Sequence, residues 1–264
     1  MTILEEIVKT KKEEVARQKK HTSTGQLEKY PLFKRNCNSL KASLLRENSS
    51  GIIAEFKQKS PSKGEINFGV KVEDVTRQYV EAGAAGLSVL TDFQYFEGTL
   101  ANLSKARERN PDIPILRKDF MIDSYQVTEA KAYGADVILL IAACLDKKQA
   151  EALAKEAKYL GMEVLMEIHD VAEAEKINDY VDIVGVNNRN LKTFEVNVET
   201  SVKLAEHIPS RFLKISESGI SKAETIRYLK DKGFRGFLIG ETFMKTGNPG
   251  EALNKLIAEL SWGN

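Results

Sequence analysis

From residue 51 onward, short apolar runs alternate with charged stretches whose apolar residues recur at helical spacing. The runs cover 52–56, 86–90, 113–116, 136–141, 163–168, 182–186, 212–215 and 236–239. Unbroken apolar runs mark strands buried on both faces, and amphipathic helices between them point to a parallel sheet covered by helices. Asp146, Asp170 and Ser221 stand where crossover helices should start, and Gly161 and Gly233 where helices should stop. Eight strand–helix units close into a (β/α)8 TIM barrel of about 200–250 residues, which residues 49–264 fit. The fold class is therefore α/β. An open doubly wound sheet would carry GxGxxG after its first strand, but the first run here leads into EFKQKSPSKGE.

The front of the chain differs. Ile3, Leu4, Ile7, Val8 and Val15 recur at helical spacing among Lys and Glu. A polar stretch, HTSTGQ, precedes a second short helix over 40–45. Residues 1–48 are expected to form a helical extension packed on the barrel, the alternative being a dimerisation helix. Residues 1–264 then make a single domain.

Composition narrows the classes. Among 264 residues, 39 Lys and Arg balance 38 Asp and Glu, for a net charge of +1. That balance gives no bulk electrostatic grip on nucleic acid or an acidic membrane. The two cysteines, Cys37 and Cys144, form no CxxC or Cys/His cluster, which argues against a disulfide scaffold or a zinc module. The first segment is charged throughout and unlike a secretory signal, and the longest apolar run, 137–145, is too short to span a bilayer. A cytoplasmic protein without nucleic-acid or membrane partners is expected.

Barrel enzymes collect their chemistry just beyond the strand C-termini. Those positions deliver Glu55, Lys57 and Ser60; Thr91 and Asp92; Arg117, Lys118, Asp119 and Phe120; Glu167 and His169; Asn187 to Asn190; Ser216, Glu217, Ser218 and Gly219; and Gly240 with Glu241. Glu55 and Lys57 share strand parity, so both point to one side. Opposite charges around one closed mouth shift each other's pKa values and can hold an acid and a base ready near neutral pH. The bland alternative is a structural ring of salt bridges. Gly219 and Gly240 precede expected helix starts, where backbone N–H groups can approach a phosphate; they can also be plain helix starts. Glu241 beside them is expected to turn its side chain away. Lys63 and Gly64, in SPSKG, suggest a mobile basic loop. His169 reads as a satisfied or substrate-lining residue rather than a metal ligand, and Cys144 as core. No HExxH, DxDxDG or GxxxxGK[ST] pattern occurs, so no metal and no nucleotide cofactor is expected.

The stretches IIAEFKQKSPSKGEI, LSVLTDFQYFEGT, PILRKDFMIDSYQV, ADVILLI, GMEVLMEIHD, VGVNNRNLKTFEV, ISESGI and FLIGETFM, which cover about 50–247 nearly strand by strand, carry a family resemblance. The chain resembles indole-3-glycerol phosphate synthases, lyases of tryptophan biosynthesis, and its front section is similar to their N-terminal extension. The resemblance implies ring closure of 1-(2-carboxyphenylamino)-1-deoxyribulose 5-phosphate to indole-3-glycerol phosphate, with loss of CO2 and water. It implies Lys118 as general acid, Glu167 as base, Lys57 as a second lysine that contacts substrate, and Glu55 as the carboxylate tuning the lysines. The split of acid roles between Lys57 and Lys118 stays open. Asn187 matches a contact to a substrate hydroxyl, and Ser218 and Arg189 match further mouth residues. Ser60 matches the first-loop signature, and Gly219, Gly240 and Glu241 the phosphate-binding stretches. Phe120 and Leu191 resemble pieces of the pocket for the anthranilate ring. Lys59 departs from the pattern, where a small residue is expected. No cofactor, a small phosphorylated substrate and a monomer are implied. One alternative, a phosphoribosylanthranilate isomerase, would need a Cys/Asp pair that neither cysteine supplies. Another, a non-catalytic partner barrel, predicts losses among Glu55, Lys57, Lys118 and Glu167, and none is lost.

Overall fold

In the computed structural model, which describes residues 2–261, eight parallel strands run in an unbroken ring. They are β1 (Ile52–Phe56), β2 (Gly86–Leu90), β3 (Ile115–Lys118), β4 (Val137–Ile141), β5 (Glu163–Ile168), β6 (Ile183–Asn187), β7 (Leu213–Glu217) and β8 (Gly236–Ile239). Strand β1 pairs with both β2 and β8, which closes a (β/α)8 TIM barrel.

Strand parity explains the unbroken apolar runs. Ile53, Leu116, Leu139, Leu165, Ile183, Ile215 and Leu238 cluster together as the barrel's filling. Their neighbours Ile52, Ala54, Ile115, Ile138, Val164, Val184 and Phe237 belong to the other cluster, shared with the surrounding helices. Both faces are dry, so no polar position interrupts the pattern.

Three strands extend further than the apolar runs. Strand β3 ends at Lys118 rather than residue 116, β6 at Asn187 rather than 186, and β7 at Glu217 rather than 215. The ladder continues through charged residues because they meet each other in the mouth: Leu90 pairs with Lys118, and Asn187 with Glu217. Asp146 and Asp170 cap their helices by accepting from Gln149 and Glu173 N–H. Ser221 does not: the helix Ala223–Asp231 starts after Lys222, with no side-chain cap. Gly161 and Gly233, with φ of +77° and +87°, take the left-handed turn that stops a helix.

The extension embraces both ends of the barrel. Helix Ile3–His21 is capped by Thr2 and Glu5 in a reciprocal box and lies at the mouth. Lys11 on this helix is 1% exposed and ion-pairs with Asp92 at 2.8 Å and Asp119 at 2.9 Å, beyond the ends of β2 and β3. Helix Leu40–Leu45 plugs the floor, where Leu40 meets the first residue of β2 and Leu44 that of β8. Beside the floor, fully buried Asp136 accepts from Arg35 at 2.7 Å, from the N–H groups of Asn38 and Ile115, and from Arg107. No helix among the described residues is long and apolar enough to cross a membrane.

Candidate active site

Inward parity continues past the apolar layers into the mouth. Leu116 is followed two residues later by Lys118, Leu165 by Glu167, Ile183 and Gly185 by Asn187, Ile215 by Glu217, and Ile53 by Glu55 and Lys57. One cavity, about 1270 Å3 measured out to solvent, opens above them. Glu55, Lys57, Ser60, Lys118, Phe120, Glu167, Asn187, Arg189, Leu191, Ser218, Gly219, Gly240 and Glu241 all line it.

Lys118 is the hub. Its Nζ lies 2.7 Å from Glu167 Oε2 and 2.9 Å from Glu217 Oε2. Asn187 Nδ2 donates to Glu167 Oε1 at 3.0 Å. Across the mouth, Lys57 Nζ pairs with Glu55 Oε1 at 3.1 Å, and Ser88 Oγ donates to Glu55 Oε2. Burial works against the charge on Lys118, but Glu167 and Glu217 outweigh it and hold the ammonium well above its ordinary pKa. The two carboxylates then diverge. Burial pushes Glu217 up to about 7, against the pull of Lys118. Burial also acts on Glu167, yet Lys118 and the nearby His169 hold it well below the usual carboxylate range. Two carboxyl groups driven apart around one ammonium can serve as a fixed anion and a proton exchanger near neutral pH.

Apolar groups line the other side. The rings of Phe96 and Phe120 lie 6.2 Å apart, and Leu191, Ile141 and Ile7 face the same cavity. A flat aromatic substrate suits such a wall.

Around the candidate phosphate end, Gly219 has φ of +74°, and Ser218 holds a left-handed φ of +68° that a side-chain-bearing residue rarely takes. A Cβ at Gly219 would collide with Val196. The loop after β1, which holds SPSKG, forms a short hairpin, Lys59–Ser60 against Gly64–Glu65. Lys59, the departure from the family pattern, is offset by Glu97 at 3.1 Å. The expectation for Glu241 is overturned. Its carboxylate faces the mouth, 3.9 Å from Lys63 Nζ and 4.0 Å from Arg189 Nη2, because two cations draw it inward.

Parity sorts the remaining rim residues into a second, structural network. Arg117 points away from the mouth and pairs with Asp119 at 2.9 Å and Glu129 at 2.8 Å. Thr91 donates to Asp119, and Lys11 binds both Asp119 and Asp92. Asn188 and Ser216 are hydrogen-bonded to each other and to Ser201 behind the wall. The salt-bridge-ring reading thus describes this outer set. His169 is partly buried beside Glu167 without lining the cavity, and Cys144 is half-buried with its thiol pushed up to about 12 by burial.

Sequence reasoning placed Glu217 on the rim but gave it no role, choosing Ser218 instead. The parity of Leu213 and Ile215 was the available signal. Ile3, Leu4 and Ile7 of the first helix also line the cavity; no strand argument could place them there. Among the described residues no group of His, Cys, Asp and Glu is arranged to hold a metal ion.

A family described as indole-3-glycerol phosphate synthase matches residues 4–256. A protein of that name from Bacteroides thetaiotaomicron is 48% identical over 258 residues, covering 98% of each chain. Another from Salinibacter ruber is 40% identical over 260 residues, covering 98% of this chain and 96% of its own. Among solved structures, a 3-hexulose-6-phosphate synthase from Salmonella typhimurium superposes with a TM-score of 0.65 at 12% identity, over 81% of this chain and 100% of that one. A tryptophan synthase alpha-subunit from Pyrococcus furiosus superposes with a TM-score of 0.58 at 17% identity, over 81% of this chain and 98% of that one. These two share the barrel fold.

Proposed function

The chain belongs to the indole-3-glycerol phosphate synthase family, and from that premise we propose how its mouth residues divide the reaction. The activity is that of a decarboxylating lyase of tryptophan biosynthesis acting on a small phosphorylated substrate. The aryl ring carbon bearing the carboxylate attacks the ketone, and Lys118 gives its proton to the ketone oxygen. Loss of CO2 restores the aromatic sextet. Glu167 then takes a proton as the hydroxyl departs as water, with Lys57 or Lys118 donating the proton it leaves with. Glu217 exchanges protons with Lys118 between steps, and Glu55 holds Lys57 in reach. The observation that carries this reading is the Lys118 ammonium clamped between two buried carboxylates, 2.7 Å from Glu167 and 2.9 Å from Glu217, at the mouth of the barrel.

The anthranilate ring lies against Phe120 and Leu191. Asn187 contacts a substrate hydroxyl, while Ser218 and Arg189 hold the chain of the sugar. The phosphate rests on the backbone at Gly219 and Gly240, near Ser60, and Glu241 swings out as it arrives. Lys63 and Arg189, now released from Glu241, turn to the phosphate. The extension 1–48 and the barrel 49–264 act as one domain, supported by the Lys11 ion pairs at the mouth and the Leu40–Leu44 plug. A cytoplasmic, monomeric enzyme completes this proposal.

Product fluorescence with 1-(2-carboxyphenylamino)-1-deoxyribulose 5-phosphate tests the assignment. Lys118→Ala and Glu167→Gln should each lower turnover by about 10²-fold or more. Near-normal turnover in both would overturn it.

A further inference from the structure

His169 follows β5 two residues beyond Glu167, and its imidazole reaches that carboxylate from beside the cavity. Three contacts grip it. Its backbone N–H donates to Glu173 Oε2 at 2.7 Å, its Nδ1 lies 3.1 Å from that oxygen, and its Nε2 lies 3.1 Å from Glu167 Oε1. Nε2 is buried and meets the carboxylate off the hydrogen-bond axis, with no other partner. Glu173 is itself set by the helix Val171–Ala174, which Asp170 caps.

We propose that His169 is a positioning residue that acts on the reaction through Glu167: backed by Glu173, it fixes that carboxylate and supplies its counter-charge when Lys118 turns to the substrate. The proposal rests on Glu167 being the base.

Glu217 provides an internal comparison. Both carboxylates are almost fully buried and both touch Lys118, at similar distances. Glu217 has no histidine, and burial carries it up to about 7. Glu167 is held low, by Lys118 first and then by His169, with the Asn187 amide also on its Oε1. Burial alone would neutralise the imidazole, but Glu167 and Glu173 push it up to about 10, so it is charged at neutral pH. Its other titratable surroundings do not strip that charge. The Cys144 thiol, on the turn Ala142–Cys144, is neutral, and the Lys176 ammonium is tied to the Ala142 carbonyl at 2.7 Å. Once Lys118 has given up its proton it no longer favours the Glu167 anion. The imidazolium remains, and the base stays ionised until its own turn.

The test is the pH dependence of kcat at saturating substrate, which reports the groups of the bound complex. Removing a positive charge beside a carboxylate raises its pKa. His169→Gln should therefore move the acid limb of kcat upward by about one pH unit, an approximately tenfold loss well below the limb, with recovery at higher pH and little change in KM. Glu173→Gln should move the limb the same way by less. A uniform fall in kcat at all pH values with an unmoved limb, or a change in KM alone, would overturn the proposal. If His169→Gln fails to fold by circular dichroism, Glu173→Gln decides in the same way. Glu167→Gln is measured in parallel. If it keeps turnover, the base assignment and this inference fall together. If it is inactive and both limbs stay put, this inference falls alone.

Discussion

A Cβ at Gly240 would stand 2.9 Å from Glu55 Cβ and 2.8 Å from its Oε1. Glu55 cannot escape by swinging its tip alone, because the clash reaches its own Cβ. Gly240→Ala should push Glu55, and with it Lys57, out of line, lowering kcat by about 10- to 100-fold, as misplacement of about 1 Å does. At Gly185 a Cβ would meet only the tip of Glu217, Oε1 at 2.5 Å, which a side-chain swing relieves, so Gly185→Ala should lower kcat less than Gly240→Ala. Steady-state kinetics on the two alanine variants check both. At this scale the sequence was informative where chemistry has a distinctive neighbourhood. Lys118 in LRKDF and Glu167 in LMEIH could be named, whereas Glu217 stood beside Ser218 with nothing but parity to separate them. The inward turn of Glu241 was illegible because its two cations arrive from distant loops.

Elements were legible where burial wrote them. The starts of β1, β2, β5 and β8 coincide with the apolar runs. The ends of β3 and β7 did not, because Lys118 and Glu217 look like loop residues until they are seen to satisfy each other. The first helix read correctly as amphipathic. Its packing on the barrel was expected too, but not its place at the mouth, since Lys11 interrupts the Ile7–Val15 stripe with what would ordinarily be a solvated charge. Burial lowers the pKa of Lys11, but Asp119, Asp92 and Glu14 outweigh it and hold it above its ordinary value. Lys11→Met should therefore leave buried Asp92 without its cation, while Asp119 keeps Arg117, and cost about 3 kcal/mol, the low end of the range for breaking a buried pair. KM should rise too, because Ile3, Leu4 and Ile7 roof the cavity from the same helix. Denaturant titration and kinetics on this variant check both effects.

For the molecule as a whole, the titrating groups set a lopsided stability profile. Glu217 is raised from 4.5 to about 7, so the folded state binds its proton more tightly, and stability falls as pH rises through that window. His169, raised from 6.5 to about 10, adds a further loss between those values. Asp119 and Glu167 are held low, so their contribution is full above about pH 5 and is lost as pH falls further. Thermal midpoints measured by calorimetry at constant ionic strength should peak on the acid side of neutrality, near pH 5. Glu217→Gln should flatten the decline between 4.5 and 7. The barrel itself was legible from the eightfold alternation, but this profile was not. It depends on which carboxylates end up sharing a cation, and that is a property of the closed ring.

The floor and the mouth answer to different demands. At the floor, Asp136 accepts from Arg35, Arg107 and the N–H groups of Asn38 and Ile115, and Leu40 and Leu44 pack beside it. At the mouth, an ionised Glu217 is a cost to folding above about pH 7, carried for the sake of chemistry. Selection of random variants for heat tolerance alone, applied to this scaffold at alkaline pH, would erode turnover before it altered a single floor residue.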